Sequence, residues 1–165
     1  IAERHRMRSS GLSITQDKLS AMPMGPVLSG ALNLLNPKKT NKPINAYFSK
    51  YLDVVHKEKA HIVTAKAVDE DEFSENDLSS LEWAWNNFGH YNWRKLVDIT
   101  HELPEWKSRS RVERANTSVG INPEDMLEDL DNEVCKIFPR LSADKKAGLI
   151  ESIIVQKRIH AALSA

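Results

Sequence analysis

The chain has 165 residues, with 23 basic and 23 acidic side chains and a formal net charge of zero. At 41% hydrophobic it can build the core of one domain, and its balanced charge argues against a strongly basic nucleic-acid binder. No run approaches the roughly 18 apolar residues of a membrane helix, and the lone cysteine, Cys135, excludes an internal disulfide and a cysteine-rich zinc module.

A reducing, cytoplasmic setting is the default expectation for such a composition. The first residue is Ile1, so the chain is expected to begin inside a longer product. A first helix ends near Ser10-Gly11, where glycine suits a helix C-terminus. Ile14-Thr15 reads as a cap with Leu19, opening a short helix from Gln16 to about Met22. Pro23 and Gly25-Pro26 break it. A further helix follows, with Val27, Leu28, Ala31, Leu32 and Leu35 on one stripe, and Asn36-Pro37-Lys38-Lys39 ends that helix. The period then changes to β-branched alternation over Tyr51–Val55 and His61–Val68, with Lys57-Glu58-Lys59 between, which predicts an antiparallel hairpin.

The acidic run Asp69–Glu72 reads as a solvated loop entering the next helix. Ser74 caps that helix, Asp77 completes a weaker capping box, and Phe73 can staple to Leu78. The helix carries Leu78, Leu81, Trp85 and Phe88 and stops at Gly89. Tyr91-Asn92 opens the next, from Trp93 to Leu103, which Pro104 terminates. Lys107, Arg109, Arg111 and Arg114 form a basic loop. A helix from Pro123 to Ile137 places Met126, Leu127, Leu130, Val134 and Ile137 inward, and a last helix spans Ala143 to Leu163. The fold class is therefore mainly α: a compact helical domain with a small antiparallel hairpin and a C-terminal helical extension.

Familiar catalytic signatures are missing. There is no phosphate-binding glycine loop, no nucleophile elbow and no His-Glu-x-x-His. His56 and His61 flank the hairpin turn without a third ligand nearby in sequence, so no metal and no cofactor are expected. Cys135 reads as a packed thiol. Two segments stand out instead. Met22-Pro23-Met24-Gly25-Pro26 forces a sharp corner, either a plain helix–helix turn or a rigid presenter of Met22 and Met24. Trp93, Val97 and His101 share a helix face, with Trp106 beyond the Pro104 corner. A histidine on an apolar face is commonly a satisfied structural group, whereas tryptophans are favoured interface anchors.

In order and spacing, Gly11–Asp17, Ala21–Val27, the hairpin, the Phe73-Ser74-Glu75 helix start and Thr100–Trp106 resemble the Panacea domain of SocA-like antitoxins, known from bacteria and phages, over about residues 1 to 125. The resemblance implies a domain over residues 1–121, whose opening helix is shorter than the family's, and an extension over 122–165 that helps choose the partner. It implies no enzyme but an antitoxin that neutralises a cognate toxin by contact, and in one branch delivers the toxin to a ClpXP-type protease. Partner-binding residues would be Met22, Met24, Gly25, Pro26, Trp93, His101 and Trp106, with Thr15, Ser74, Thr100 and Pro104 as structural motif positions. Homo-oligomerisation through a hairpin edge is compatible with this reading. The alternatives are a DNA-binding regulator, with helix-turn-helix elements around Gly25 or Gly89 and phosphate contacts from Lys38, Lys39, Lys42 and Lys107–Arg114, or an enzyme built on a pocket at His101.

Overall fold

The computed structural model describes residues 1–15, 17–28, 50, 52–57, 60–65, 73–109 and 118–163; side chains at 52–57, 60–65 and 160 lie outside the description. The architecture is mainly helical. Helix α1 (Ala2–Ser10) ends on Gly11, whose left-handed backbone (φ 73°) lets its N–H return to the Met7 carbonyl.

The segment after α1 corrects the sequence reading. No helix runs from Gln16 to Met22; Leu19–Met22 is strand β1 and Gly25–Leu28 is strand β2, paired antiparallel with Met22 opposite Gly25. Pro23 and Met24 form the two-residue loop between them. The expected helix from Pro26 is thus replaced, at least through Leu28, by a strand, and its remainder (Ala31, Leu32, Leu35) lies outside the described residues. The physical reason is Gly25. Its φ of 109° is open to glycine and unsuited to a helix start, so the chain reverses rather than turning a corner. A helix-turn-helix around Gly25 is excluded by the same finding. Strand β5 (Val119–Gly120) adds to the other side of β1, giving the order β2-β1-β5.

The second sheet is the expected hairpin, β3 (Leu52–Lys57) with β4 (Ala60–Ala65), and its register sets His56 opposite His61. The acidic run Asp69–Glu72 and the arginines Arg111 and Arg114 lie outside the described residues.

Helix α2 (Glu75–Phe88) starts at Ser74 with a complete capping box: Ser74 Oγ accepts from the Asp77 N–H, and the Asp77 carboxylate accepts from the Ser74 N–H. Helix α3 (Trp93–His101) is capped by Asn92, whose side chain accepts from the Lys95 N–H. Pro104 opens a single turn, α4 (Pro104–Lys107). Ser74→Ala is expected to lower stability by about 1 kcal/mol, seen as a lower urea midpoint with an unchanged slope.

The expected helix from Pro123 to Ile137 is broken in two. Residues Pro123–Leu127 form a 3₁₀ turn, and α5 spans only Glu133–Ile137, capped by Asn132. Met126 and Leu127 are buried as anticipated, but Leu130 and Ile137 are exposed. The last helix, α6 (Ala143–Leu163), has its expected span.

Two apolar clusters hold these elements. One joins Met7, Ala21, Trp106, Ile121, Met126, Leu127, Leu149 and Ile153, so α6 packs into the same core as β1 and α4. The other joins Phe88, Ile99, Leu103, Cys135 and Phe138. Between them lies α1, which is inside out. Glu3, Arg4, Arg6 and Arg8 are all buried. The Glu3 carboxylate accepts from the N–H and hydroxyl of Thr15 and from Ile14 N–H and Ser13, fixing the chain after α1. No helix follows Thr15; its hydroxyl serves Glu3 instead. Arg6 Nε donates to Asp77 at 2.7 Å, tying α1 to the first turn of α2.

His5 stacks on Trp83 with ring centroids 4.2 Å apart and meets Ser80 Oγ at 3.0 Å. Burial, aided by nearby Arg8, holds its pKa below the ordinary histidine value. A base with a depressed folded pKa favours the unfolded chain as protons are added. Stability is therefore expected to fall as pH drops from about 6.5 toward the lower folded pKa. A urea titration series across pH 5 to 7, roughly the histidine range, checks this; His5→Gln is expected to flatten that part of the profile.

Candidate partner-binding site

The sequence-derived partner residues separate into a packed joint and an exposed remainder. The joint lies where the β1–β2 loop meets the end of α3. Trp106 Nε1 donates to the Met22 carbonyl at 3.0 Å, and the Trp106 ring stacks on His101 with centroids 3.7 Å apart and planes 13° apart. Gly25 faces Thr100: a Cβ on Gly25 would stand 2.8 Å from Thr100 Oγ1. Thr100 Oγ1 in turn donates to the Val97 carbonyl. Pro104 is buried at the first position of α4.

Met22, Gly25, Thr100, His101 and Trp106, far apart in sequence, thus meet in one interlock. Trp106 is only 6% exposed, so its ring is spent on the core. Pro26 is half-buried in β2.

Met24 and Trp93 face outward, 60% and 59% exposed. Trp85, which periodicity placed on the stripe with Leu78 and Phe88, is 73% exposed. Its position is fixed by Gly89: a Cβ there would lie 2.8 Å from Trp85 Cδ2, so the indole rests over the glycine that ends α2. The signal for this was available in sequence, since Trp85 and Gly89 are four residues apart, but the stripe also fits burial. Across the α2–α3 corner, the Arg94 guanidinium lies 5.3 Å from the Trp93 ring, and His90 and Tyr91 rings lie 3.9 Å apart. The corner therefore presents Trp85, Trp93 and Arg94, residue types that concentrate binding energy at protein interfaces. Trp83, by contrast, is turned inward among His5, Phe88 and Phe138.

A second concave feature was not legible in the sequence. An open groove of about 730 Å³ runs between the α1–β1 connection and the C-terminal half of α6, with Met7, Leu12, Leu19, Ile121 and Ile153 on its walls. Among the described residues no group of three or more His, Cys, Asp or Glu is placed to hold a metal, and no helix is long and apolar enough to cross a membrane.

A family model described as "Antitoxin SocA-like, Panacea domain" matches residues 1–107, which include α1, the β1–β2 loop, the α2–α3 corner and the Trp106 interlock. No curated protein and no solved structure matches the chain. The matched segment is well over half of the 165 residues, and the chain belongs to this antitoxin family.

Proposed function

We propose that this member of the SocA-like antitoxin family neutralises a cognate toxin protein in the cytoplasm by stoichiometric binding, with no turnover and no cofactor. Family membership over residues 1–107 carries the reading. The α2–α3 corner supports it. Exposed Trp93 with Arg94 over its ring, and exposed Trp85 at the end of α2, are costly to solubility and are the residue types a partner would cover. Met24, at the tip of the β1–β2 loop, is a flexible apolar contact of the kind that adapts to a partner surface. Residues 1–121 act as the antitoxin domain, and 122–165 as an extension packed on it. Delivery of the toxin to a ClpXP-type protease is the finer form of the same reading.

The test is co-expression with the product of the adjacent gene. The native chain is expected to restore growth, and Trp85→Ala/Trp93→Ala to weaken toxin binding by at least about tenfold, a loss of about 1.4 kcal/mol or more, with an unchanged melting temperature. If the double variant neutralises as well as the native chain, the corner is not the contact surface. If growth is never restored, antitoxin activity toward that product is refuted. Neutralisation that persists in a host lacking the protease sinks the adaptor form alone. Salt-sensitive retention on DNA without any effect on the toxin favours the regulator.

A further inference from the structure

Helix α6 carries apolar residues on every side, the pattern of a helix that is covered all round. Its inner side is accounted for, because Leu149 and Ile153 are buried with Met7 and Trp106. The opposite side, followed at about 100° per residue, carries Ala147, Gly148, Glu151, Ile154, Val155, Arg158 and Ala162. Ile154 and Val155 are well exposed. A Cβ on Gly148 would meet nothing within 4 Å, so packing within the chain gives no reason for a residue disfavoured in mid-helix. Glu151 and Arg158 enter no ion pair among the described residues.

This face is complementary to itself when turned end for end. We propose that it pairs antiparallel with α6 of a second copy, about a two-fold axis between Ile154 and Val155. Inversion about that point sets Ile154 against Val155, Glu151 against Arg158 and Ala147 against Ala162. Each contact then occurs twice, as an isologous interface requires. The apolar pair sits at the centre, and two Glu–Arg pairs flank it and fix the register. Small residues at both ends let the backbones approach closely. A parallel arrangement in register would instead set Glu151 on Glu151 and Arg158 on Arg158. The pairing stands apart from the antitoxin reading and leaves the α2–α3 corner free.

One helix pair is at the low end of interface sizes, so dissociation on the order of 10 µM is expected. Light scattering of the 165-residue chain should approach twice the 18.7 kDa monomer mass at about 100 µM and fall toward the single mass at about 1 µM. Glu151→Arg and Arg158→Glu, each placing like charges across the axis, are expected to give monomers with unchanged melting, and the combined swap to restore the dimer. Val155→Cys, beside the axis, is expected to form an interchain disulfide on mild oxidation, and Ala147→Cys alone is not. A native chain that stays monomeric, single variants that remain dimeric, a swap that fails to rescue, or cross-linking through Ala147→Cys alone each overturns the proposal.

Discussion

Arg4→Met is expected to destabilise the domain by about 3–5 kcal/mol, enough to consume much of a typical folding free energy. Arg4 lies almost wholly buried on α1, with Nη1 donating to the Glu105 carboxylate at 2.6 Å and Nη2 to the Glu128 carbonyl at 2.5 Å. Its guanidinium also sits 4.9 Å from the Phe138 ring. Burial pushes the Glu105 carboxyl up, and Arg4 beside it draws it back toward ionisation. Removing the arginine leaves that carboxyl in the core without its cation, which is the costly event; the pair itself is worth far less. Arg4→Met/Glu105→Leu is therefore expected to recover most of the loss, about 2 kcal/mol or more over Arg4→Met alone. Urea unfolding of the two single variants and the double variant reads the coupling. Equal destabilisation of the single and double variants would show that the Glu128 carbonyl, the Asp129 carboxylate and the Phe138 contact, not the pair with Glu105, account for the effect.

The same cluster explains what the sequence did not disclose. In α1, charged residues stand at four of the first eight positions, and no neighbouring pattern marks Arg4 and Arg8 for burial, because their partners lie from 101 to 131 residues away. Nothing local announces that Arg8 will donate to the Leu127 and Pro139 carbonyls and the Asp129 carboxylate. Those interactions also account for the interrupted helix after Pro123. Carbonyls that would have continued an i to i+4 ladder are engaged by Arg4 and Arg8, so the chain leaves the helix at Glu128 and restarts where Asn132 caps α5. Elements with strong local signals were legible: the Ser74 capping box, the Asn92 cap, the long α6 and the β3–β4 hairpin. The β1–β2 hairpin was not. Leu19, Ala21 and Met22 fit either period, and only tertiary contacts of Ala21 and Met22 with the Trp106 region select the strand. Of the site, the exposure of Met24 and Trp93 and the convergence of His101 with Trp106 concern residues that sequence singled out. Which of them face water followed from the packing of α3 against β2, which no local pattern encodes.

Trp106→Ala is expected to cost about 3–5 kcal/mol, because it empties a buried indole site and strips the stack from His101. Trp106→Phe keeps an aromatic ring against His101 but leaves the Met22 carbonyl without its donor, for about 1–3 kcal/mol. If the interlock serves stability alone, toxin neutralisation by Trp106→Phe should match the native chain at a temperature where both are folded. The α2–α3 corner should behave oppositely. Trp93 is largely exposed, so Trp93→Ala is expected to change stability by no more than about 0.5 kcal/mol while weakening partner binding. Measuring melting temperature and toxin affinity for the three variants separates the two roles. A folded Trp106→Phe that no longer binds toxin would move the contact surface from the corner to the β1–β2 loop. In that case the positioning of Met24 by the Met22–Trp106 bond becomes the quantity that matters, since Met24 is the exposed residue two positions beyond the anchored carbonyl.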